Sequence, residues 1–265
     1  MLPSIFGVGR RIGSGLGKAA EAVLKGKPAP PLGATALRLA CAAALDVPVE
    51  ELRPGVVHIQ PIEGSHAPFG SPCPLAVTQT IEGASAKVYH PLLDTLGPIL
   101  VEPPAGGAVL SQANRAHLIA ALEERLPVRE VWHQVLFYAD RDHFIPDIHH
   151  RVVALRPGER PGGQDPGAHQ AAAAQGACGV VVRGHPVAYA DYAPRGEHCV
   201  SVATYTDERY RGQGLGRSVV SAATKTILGR GKIPVYCADV ENVASQAVCT
   251  GLGYVKFGES VHCFL

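Results

Sequence analysis

Between Cys178 and Leu265, short β-branched runs alternate with two amphipathic stretches, and that order constrains the chain more than any other feature. Cys178–Arg183 and Val187–Tyr192 read as strands separated by Gly184-His-Pro186, a hairpin signal, and Val200–Thr206 reads as a third strand. Gly216–Leu228 gathers Val219, Val220, Ala223 and Ile227 on one helical face, with Gly229 just past its end. Ile233–Asp239 is a further strand and Asn242–Thr250 a short helix ended by Gly251. Tyr254–Phe257 and Val261–Leu265 close the chain as two strands. The order β-β-β-α-β-α-β-β predicts an α/β layer structure around a mixed sheet.

The first half is less regular. Thr35–Leu45 reads as a helix with Thr35 as N-cap, and Ser111–Leu126 as a longer one capped by Ser111 and stopped by Pro127. Val56–Ile59, Ala76–Ile81, Val128–Tyr138 and Arg151–Leu155 are candidate strands. Residues 156–176, punctuated by Pro and Gly, read as a long loop or linker around a short helix. We therefore expect an N-terminal α/β region over 1–130 and a second domain over 131–265.

Charge and composition exclude several classes. Lys+Arg number 24 and Asp+Glu 23, a net +1, which argues against a whole-chain nucleic-acid binder. No apolar run approaches the ~18 residues of a membrane span, so no membrane partner is expected. Seven cysteines without a C-x-x-C pair predict mostly buried, reduced thiols in a cytoplasmic protein and no zinc site. The first 30 residues are basic and acid-poor, which suits a loose leader, a docked strand or a targeting segment. Gly13-Ser-Gly-Leu-Gly17-Lys18 imitates a phosphate loop but fails it: Ile12 stands where the first glycine belongs and Ala19 where Ser or Thr belongs.

The chemistry lies at Thr204-Tyr-Thr206 and the turn that follows, Arg209-Tyr-Arg211-Gly212-Gln213-Gly214-Leu215-Gly216-Arg217. A strand runs into a glycine-rich turn that opens a helix. Glycines let the backbone approach an anion, and the first helical N–H groups and the helix dipole favour negative charge. Arg209, Arg211 and Arg217 add positive charge.

The run Arg211-Gly-Gln-Gly214-Leu-Gly216 resembles the acyl-CoA motif of the GNAT superfamily of N-acetyltransferases, Q/R-x-x-G-x-G/A. Asn242-Val-Ala-Ser245 and Leu252-Gly253-Tyr254 resemble the motifs that follow it in that family, in the same order. The resemblance covers about 175–265. A separate N-terminal half also resembles the subgroup that includes antibiotic self-resistance acetyltransferases. The fold so implied is a GNAT-type mixed sheet with flanking helices. The implied cosubstrate is acetyl-CoA, its pantetheine arm lying beside Thr204, Tyr205 and Thr206. Its pyrophosphate would rest on Arg211 through Gly216 and Arg217, and its arm would touch Asn242 and Ser245.

The implied reaction is attack of a neutral amine on the thioester, with a small-molecule amine as acceptor. A protein lysine or N-terminus, or no transfer at all in a silent CoA-binding module, stand as alternatives, and a homodimer is left open. The chain departs from the family pattern at Cys249, where a general-acid tyrosine is common. Cys249 is either the proton donor or a buried small hydrophobe; Tyr236 and Tyr254 lie nearby but off the usual position. Glu197 and His198, at the start of a strand, are candidate bases, and Asp239 and Glu241 occupy another family position for one. Asp140–His150 mixes His and carboxylates without metal-ligand spacing, and reads as a polar loop beside the acceptor pocket.

Overall fold

The computed structural model describes residues 33–63, 71–156 and 176–265. The basic leader, the imitation phosphate loop and most of the 156–176 stretch lie outside the described residues. In chain order the elements are α1 (Ala34–Leu45), β1 (Val57–Ile62), β2 (Leu75–Thr80), β3 (Gly83–Tyr89), α2 (Leu93–Val101), α3 (Gln112–Glu123) and β4 (Glu130–Tyr138). They continue with β5 (Val153–Leu155), β6 (Gly176–Val182), β7 (His185–Arg195), β8 (Cys199–Thr206), α4 (Leu215–Gly229), β9 (Ile233–Asp239), α5 (Val243–Gly251) and β10 (Val255–Phe264).

The ten strands of the described residues join one sheet, in the order β1-β3-β2-β10-β4-β9-β8-β7-β6-β5. Neighbours are antiparallel except β1–β3 and β8–β9, which are parallel. The N-terminal half is continuous with the rest. Strand β4 inserts between β9 and β10, and β10 pairs on its other edge with β2. The two closing strands expected at 254–265 are one strand with a bulge between Lys256 and Gly258. A Cβ on Gly258 would collide with the Gln79 carbonyl, so the glycine marks close approach rather than a chain break.

Local differences from the sequence reading have physical causes. The β6–β7 turn is Arg183-Gly184, both at positive φ, so His185 and Pro186 belong to the strand. Helix α1 starts after Gly33 with no side-chain cap, not at Thr35. Ser111 does cap α3, its hydroxyl accepting from the Asn114 N–H at 3.3 Å. Strand β3 and helix α2 escape the sequence reading: β3 is built on Ala84, Ser85 and Ala86, poor strand formers, and α2 carries an internal Pro98.

The two faces of the sheet are covered unequally. Val135 and Phe137 of β4 point to one face, under α4 and α5. Through the pairs Val135↔Glu259 and His133↔Val261 that face continues to Val261 and Val77, under α2 and α3. Leu136 and Tyr138 point to the other face, where α1 packs with Leu45, Ile233, Val235 and Phe257. At 1.5 Å per residue α1 is ~18 Å long, whereas ten strands ~4.8 Å apart span roughly 43 Å. Among the described residues, α1 is the only helix on that face, and an open groove of about 890 Å³ remains beside it.

Residues 140–150 strap α4 and α5 to the sheet. The Asp147 N–H donates to Ser221 Oγ at 2.9 Å and the His149 N–H to Ser218 Oγ at 3.2 Å. Gly253, at φ +80°, lies so close to the His143 carbonyl that a Cβ would collide with it. Gly253→Ala is expected to cost about 2–4 kcal/mol, combining a strained φ with a backbone clash. Gly184→Ala, at φ +83° in open space, should cost only about 1 kcal/mol. Denaturant midpoints of the two variants check the difference; equal losses would refute the packing argument.

Candidate active site

Strands β8 and β9 pair over four residues, from Cys199↔Ile233 to Val202↔Tyr236, and then part. Each keeps its outer neighbour: β8 stays with β7 as far as Thr206↔Ala188, and β9 stays with β4 as far as Asp239↔Gln134. The facing edges of β8 beyond Val202 and β9 beyond Tyr236 have no strand partner between them. Backbone N–H and C=O groups left in this way need a partner from water or ligand.

The chain leaves β8 through a braced turn. Asp207 accepts from the Arg209 N–H at 3.0 Å and caps a 3₁₀ turn over Glu208–Tyr210. The Arg209 guanidinium bound to it holds the Asp207 carboxyl down at about 2. Gly212 and Gly214 then take positive φ, 76° and 77°. Gly214 is the N-cap of α4 and offers no side chain to the helix. The first backbone bond inside α4 comes from Ser218 to the Gly214 carbonyl, so the N–H groups of Leu215, Gly216 and Arg217 lack helical acceptors. They stand at the wall of a cleft of about 1090 Å³.

The opposite wall is α5. Asn242 caps it, Oδ1 accepting from the Ser245 N–H at 3.0 Å. Ser245 Oγ and the Tyr236 hydroxyl are 2.9 Å apart. Thr204, Tyr205, Thr206, Arg211, Gly212, Gly214, Leu215, Gly216, Arg217, Asn242 and Ser245 all border this cleft. Gln213, also nominated from the sequence, does not; His150 Nε2 donates to its carbonyl at 2.8 Å.

The arginines differ from the sequence reading. Each already has a carboxylate: Arg209 has Asp207 at 2.7 Å, Arg211 has Glu208 at 3.3 Å and Arg217 has Asp147 at 3.0 Å. The cleft's intrinsic pull on an anion therefore comes first from unpaired N–H groups and the α4 dipole. The Arg211 pair is exposed and weak enough to exchange partners. Arg217 packs over Gly251, where a Cβ would collide with its guanidinium, and so ties α4 to α5.

Cys249 requires correction as a proton donor. It is fully buried among Tyr236, Leu252 and Tyr254, and burial pushes its thiol far up. It does not border the cleft. Tyr254 is likewise buried, its hydroxyl 2.6 Å from Thr224 Oγ1. The Asp140–His150 segment is a loop packed on α4. It braces α4 and Gln213, beside the cleft, and does not border the groove on the α1 face. Among the described residues no group of three or more His, Cys, Asp or Glu could hold a metal ion.

Glu197 and His198 do not border the cleft. They are exposed at the β7–β8 turn, on the rim of the groove on the opposite face. That groove also takes in Ser201 of β8 and Cys237 of β9, beside the last pair before the strands part. The groove thus reaches the sheet beside the last β8–β9 pair, and the cleft borders β8 from Thr204 onward. The groove is what the sequence reading missed. Its floor is a rung Ser85–Thr78–Ser260–Gln134 across four adjacent strands, visible only once the register is known.

Among protein-family models, the FR47-like protein family matches residues 181–263, from the end of β6 to β10. The matched residues take in β7 to β10 with α4 and α5, the elements that frame the cleft. Comparison with curated proteins finds no match. Among solved structures, the chain is similar to a GNAT-family protein of Novosphingobium aromaticivorans, at 20% identity and TM-score 0.45, over 51% of this chain and 65% of that one. An acetyltransferase from the GNAT family of Colwellia psychrerythraea gives 12% and 0.41, over 58% and 63%. A tandem GNAT protein from the clavulanic acid biosynthesis pathway gives 12% and 0.38, over 61% of each chain. The chain thus spans under two thirds of the length of the first two. Within the described residues no helix is long and apolar enough to cross a membrane.

The Tyr236–Ser245 bond makes an asymmetric prediction. Ser245→Ala leaves a buried phenol without its partner and should cost about 1–3 kcal/mol. Tyr236→Phe removes the buried group itself and leaves Ser245 to water, so it should cost under about 1 kcal/mol. Thermal unfolding of both variants checks the order, and the reverse order would show the phenol is otherwise satisfied.

Proposed function

We propose that the chain is an acetyl-CoA-dependent N-acetyltransferase acting on the primary amine of a small molecule. The observation that carries this reading is the parting of β8 and β9, with an uncapped helix N-terminus on one side and a polar groove on the other. The unpaired inner edge of β8 suits the amide-rich pantetheine arm, as an added strand would. The N–H groups of Leu215, Gly216 and Arg217 suit the pyrophosphate. The positive φ of Gly212 and Gly214 keeps side chains out of its way. The residues present therefore fit acetyl-CoA in the cleft.

The acceptor enters from the groove. Its amine must first lose a proton, since alkyl ammonium groups hold theirs to ~10.4. Glu197 and His198 stand on the groove rim to receive it. The amine nitrogen then forms a bond to the thioester carbonyl carbon, gives up a second proton to water as the C–S bond breaks, and the sulfur leaves as thiolate and takes a proton. Backbone N–H groups of β8 past Val202 are positioned to bind the carbonyl oxygen as it gains charge. With Cys249 buried, Ser245 Oγ on the cleft wall, backed by the buried Tyr236 hydroxyl 2.9 Å away, is a group from which sulfur can draw a proton. A catalytically silent CoA-binding module is the second reading, favoured by the burial of Cys249.

Calorimetric titration with acetyl-CoA tests the cleft. Arg211→Glu combined with Gly216→Glu should weaken binding at least tenfold, by like-charge repulsion of the phosphates. Gly216 lies in the first turn of α4, where a glutamate suits the helix dipole, so the fold should survive. Folded wild-type protein that ignores acetyl-CoA would overturn the reading. Binding without release of the coenzyme's free thiol in the presence of any amine would leave the silent module.

A further inference from the structure

We infer that the acceptor is an amino acid, its carboxylate held by Arg195 on the α1 face of the sheet. This rests on the acetyl-transfer reading above and names the substrate of the same site.

The groove's two Lys/Arg side chains, Lys87 and Arg195, are in different states. Lys87 is held by Asp46 at 2.9 Å. Arg195 has no carboxylate partner among the described residues. Its Nε donates to the Ala43 carbonyl at 3.4 Å and its Nη1 contacts Cys237 Sγ at 3.5 Å. Those two contacts aim the half-buried guanidinium and leave its other amino group, Nη2, without a hydrogen-bond partner among the described residues. A planar, always-charged fork without an anion in a groove is built for a carboxylate.

Position narrows the class. Cys237 is the first residue of β9 beyond the last β8–β9 pair, so the guanidinium lies beside the point where the strands part. A carboxylate on Arg195 therefore sits close to where the attacking nitrogen must be. A small molecule satisfies both ends only if its amine and carboxylate are a bond or two apart, as in an amino acid. The rest of the groove suits a polar side chain. Ser85, Thr78 and Ser260 are buried on its floor beside Gln134, whereas the same strands carry Ala86, Val77 and Val261 on the opposite face. Side-chain hydroxyls at a sheet face need hydrogen-bond partners, and a polar substrate supplies them.

The test uses the full chain with acetyl-CoA, after binding of acetyl-CoA has been measured calorimetrically. Free thiol release is followed with a panel of free amino acids, their methyl esters and the matching amines without a carboxylate. The free acids that react should exceed their esters at least 100-fold in kcat/KM. Arg195→Lys and Arg195→Gln should raise KM for the acids at least tenfold with little change in kcat. Both variants should keep wild-type acetyl-CoA affinity, because Arg195 does not border the cleft. Comparison of acids with esters on the wild-type protein decides the matter even where an Arg195 variant fails to fold. Esters or simple amines accepted as well as the acids would overturn this inference and leave the acetyl-transfer reading standing. Acetyl-CoA binding without turnover of any amino acid would also overturn it. A protein that does not bind acetyl-CoA would overturn the transfer reading itself.

Discussion

The structure depends on two parallel strands that stop pairing. Strands β8 and β9 could have continued together beyond Val202 and Tyr236, since both run on for several residues. Their outer partners prevent it: β7 holds β8 to Thr206, and β4 holds β9 to Asp239. Because β4 spans residues 130–138, the opening in the C-terminal motif region is secured by a strand that lies outside the matched residues 181–263. The same strand joins both faces' cores, with Val135 and Phe137 on one side and Leu136 and Tyr138 on the other.

The pull on an anion beside that opening, in the proposed site, is a property of backbone more than of side-chain charge. Arginines near a glycine-rich turn suggest a positive patch. In the folded chain Asp207, Glu208 and Asp147 each pair with one of them. What stays free is the set of N–H groups at the start of α4, exposed because Gly214 brings no capping side chain. The carboxylates brace the turn and fix the directions in which those N–H groups point. The 140–150 strap does the same from behind, through Ser218, Ser221 and the Gln213 carbonyl.

Legibility followed the range of the interactions. Strand β8, the glycine turn, α4 and the short helix that opens at Asn242 are local, each written in a few adjacent residues, and they read correctly. Lines of evidence that needed the register were not legible. Nothing near Gly258 distinguishes a bulge from a strand break until Gln79 is seen against it. Ala84, Ser85 and Ala86 look unlike a strand until β1 and β2 flank them. Cys249 falls at a position with a family role, yet its burial among two tyrosines is tertiary information. The groove was invisible for the same reason: Ser85, Thr78, Ser260 and Gln134 are scattered through the sequence and adjacent only across strands.

The polar rung also explains why the sheet is covered on one side more than the other. A fully apolar face would demand helices along its whole width, and α2 to α5 meet that demand on the side of Val77, Val135 and Val261. On the α1 side the apolar residues are concentrated beneath α1 at Leu136, Val235 and Phe257, and give way to hydroxyls beyond it. Hydroxyls at those positions forgo hydrophobic stabilisation of roughly 1.5–3 kcal/mol per large side chain. A sequence tuned only for stability would not place four hydrogen-bonding residues in one register row. Such local departures from the folding pattern are expected where a surface is kept for a ligand. Here the departure lies in a groove that reaches the last β8–β9 pair.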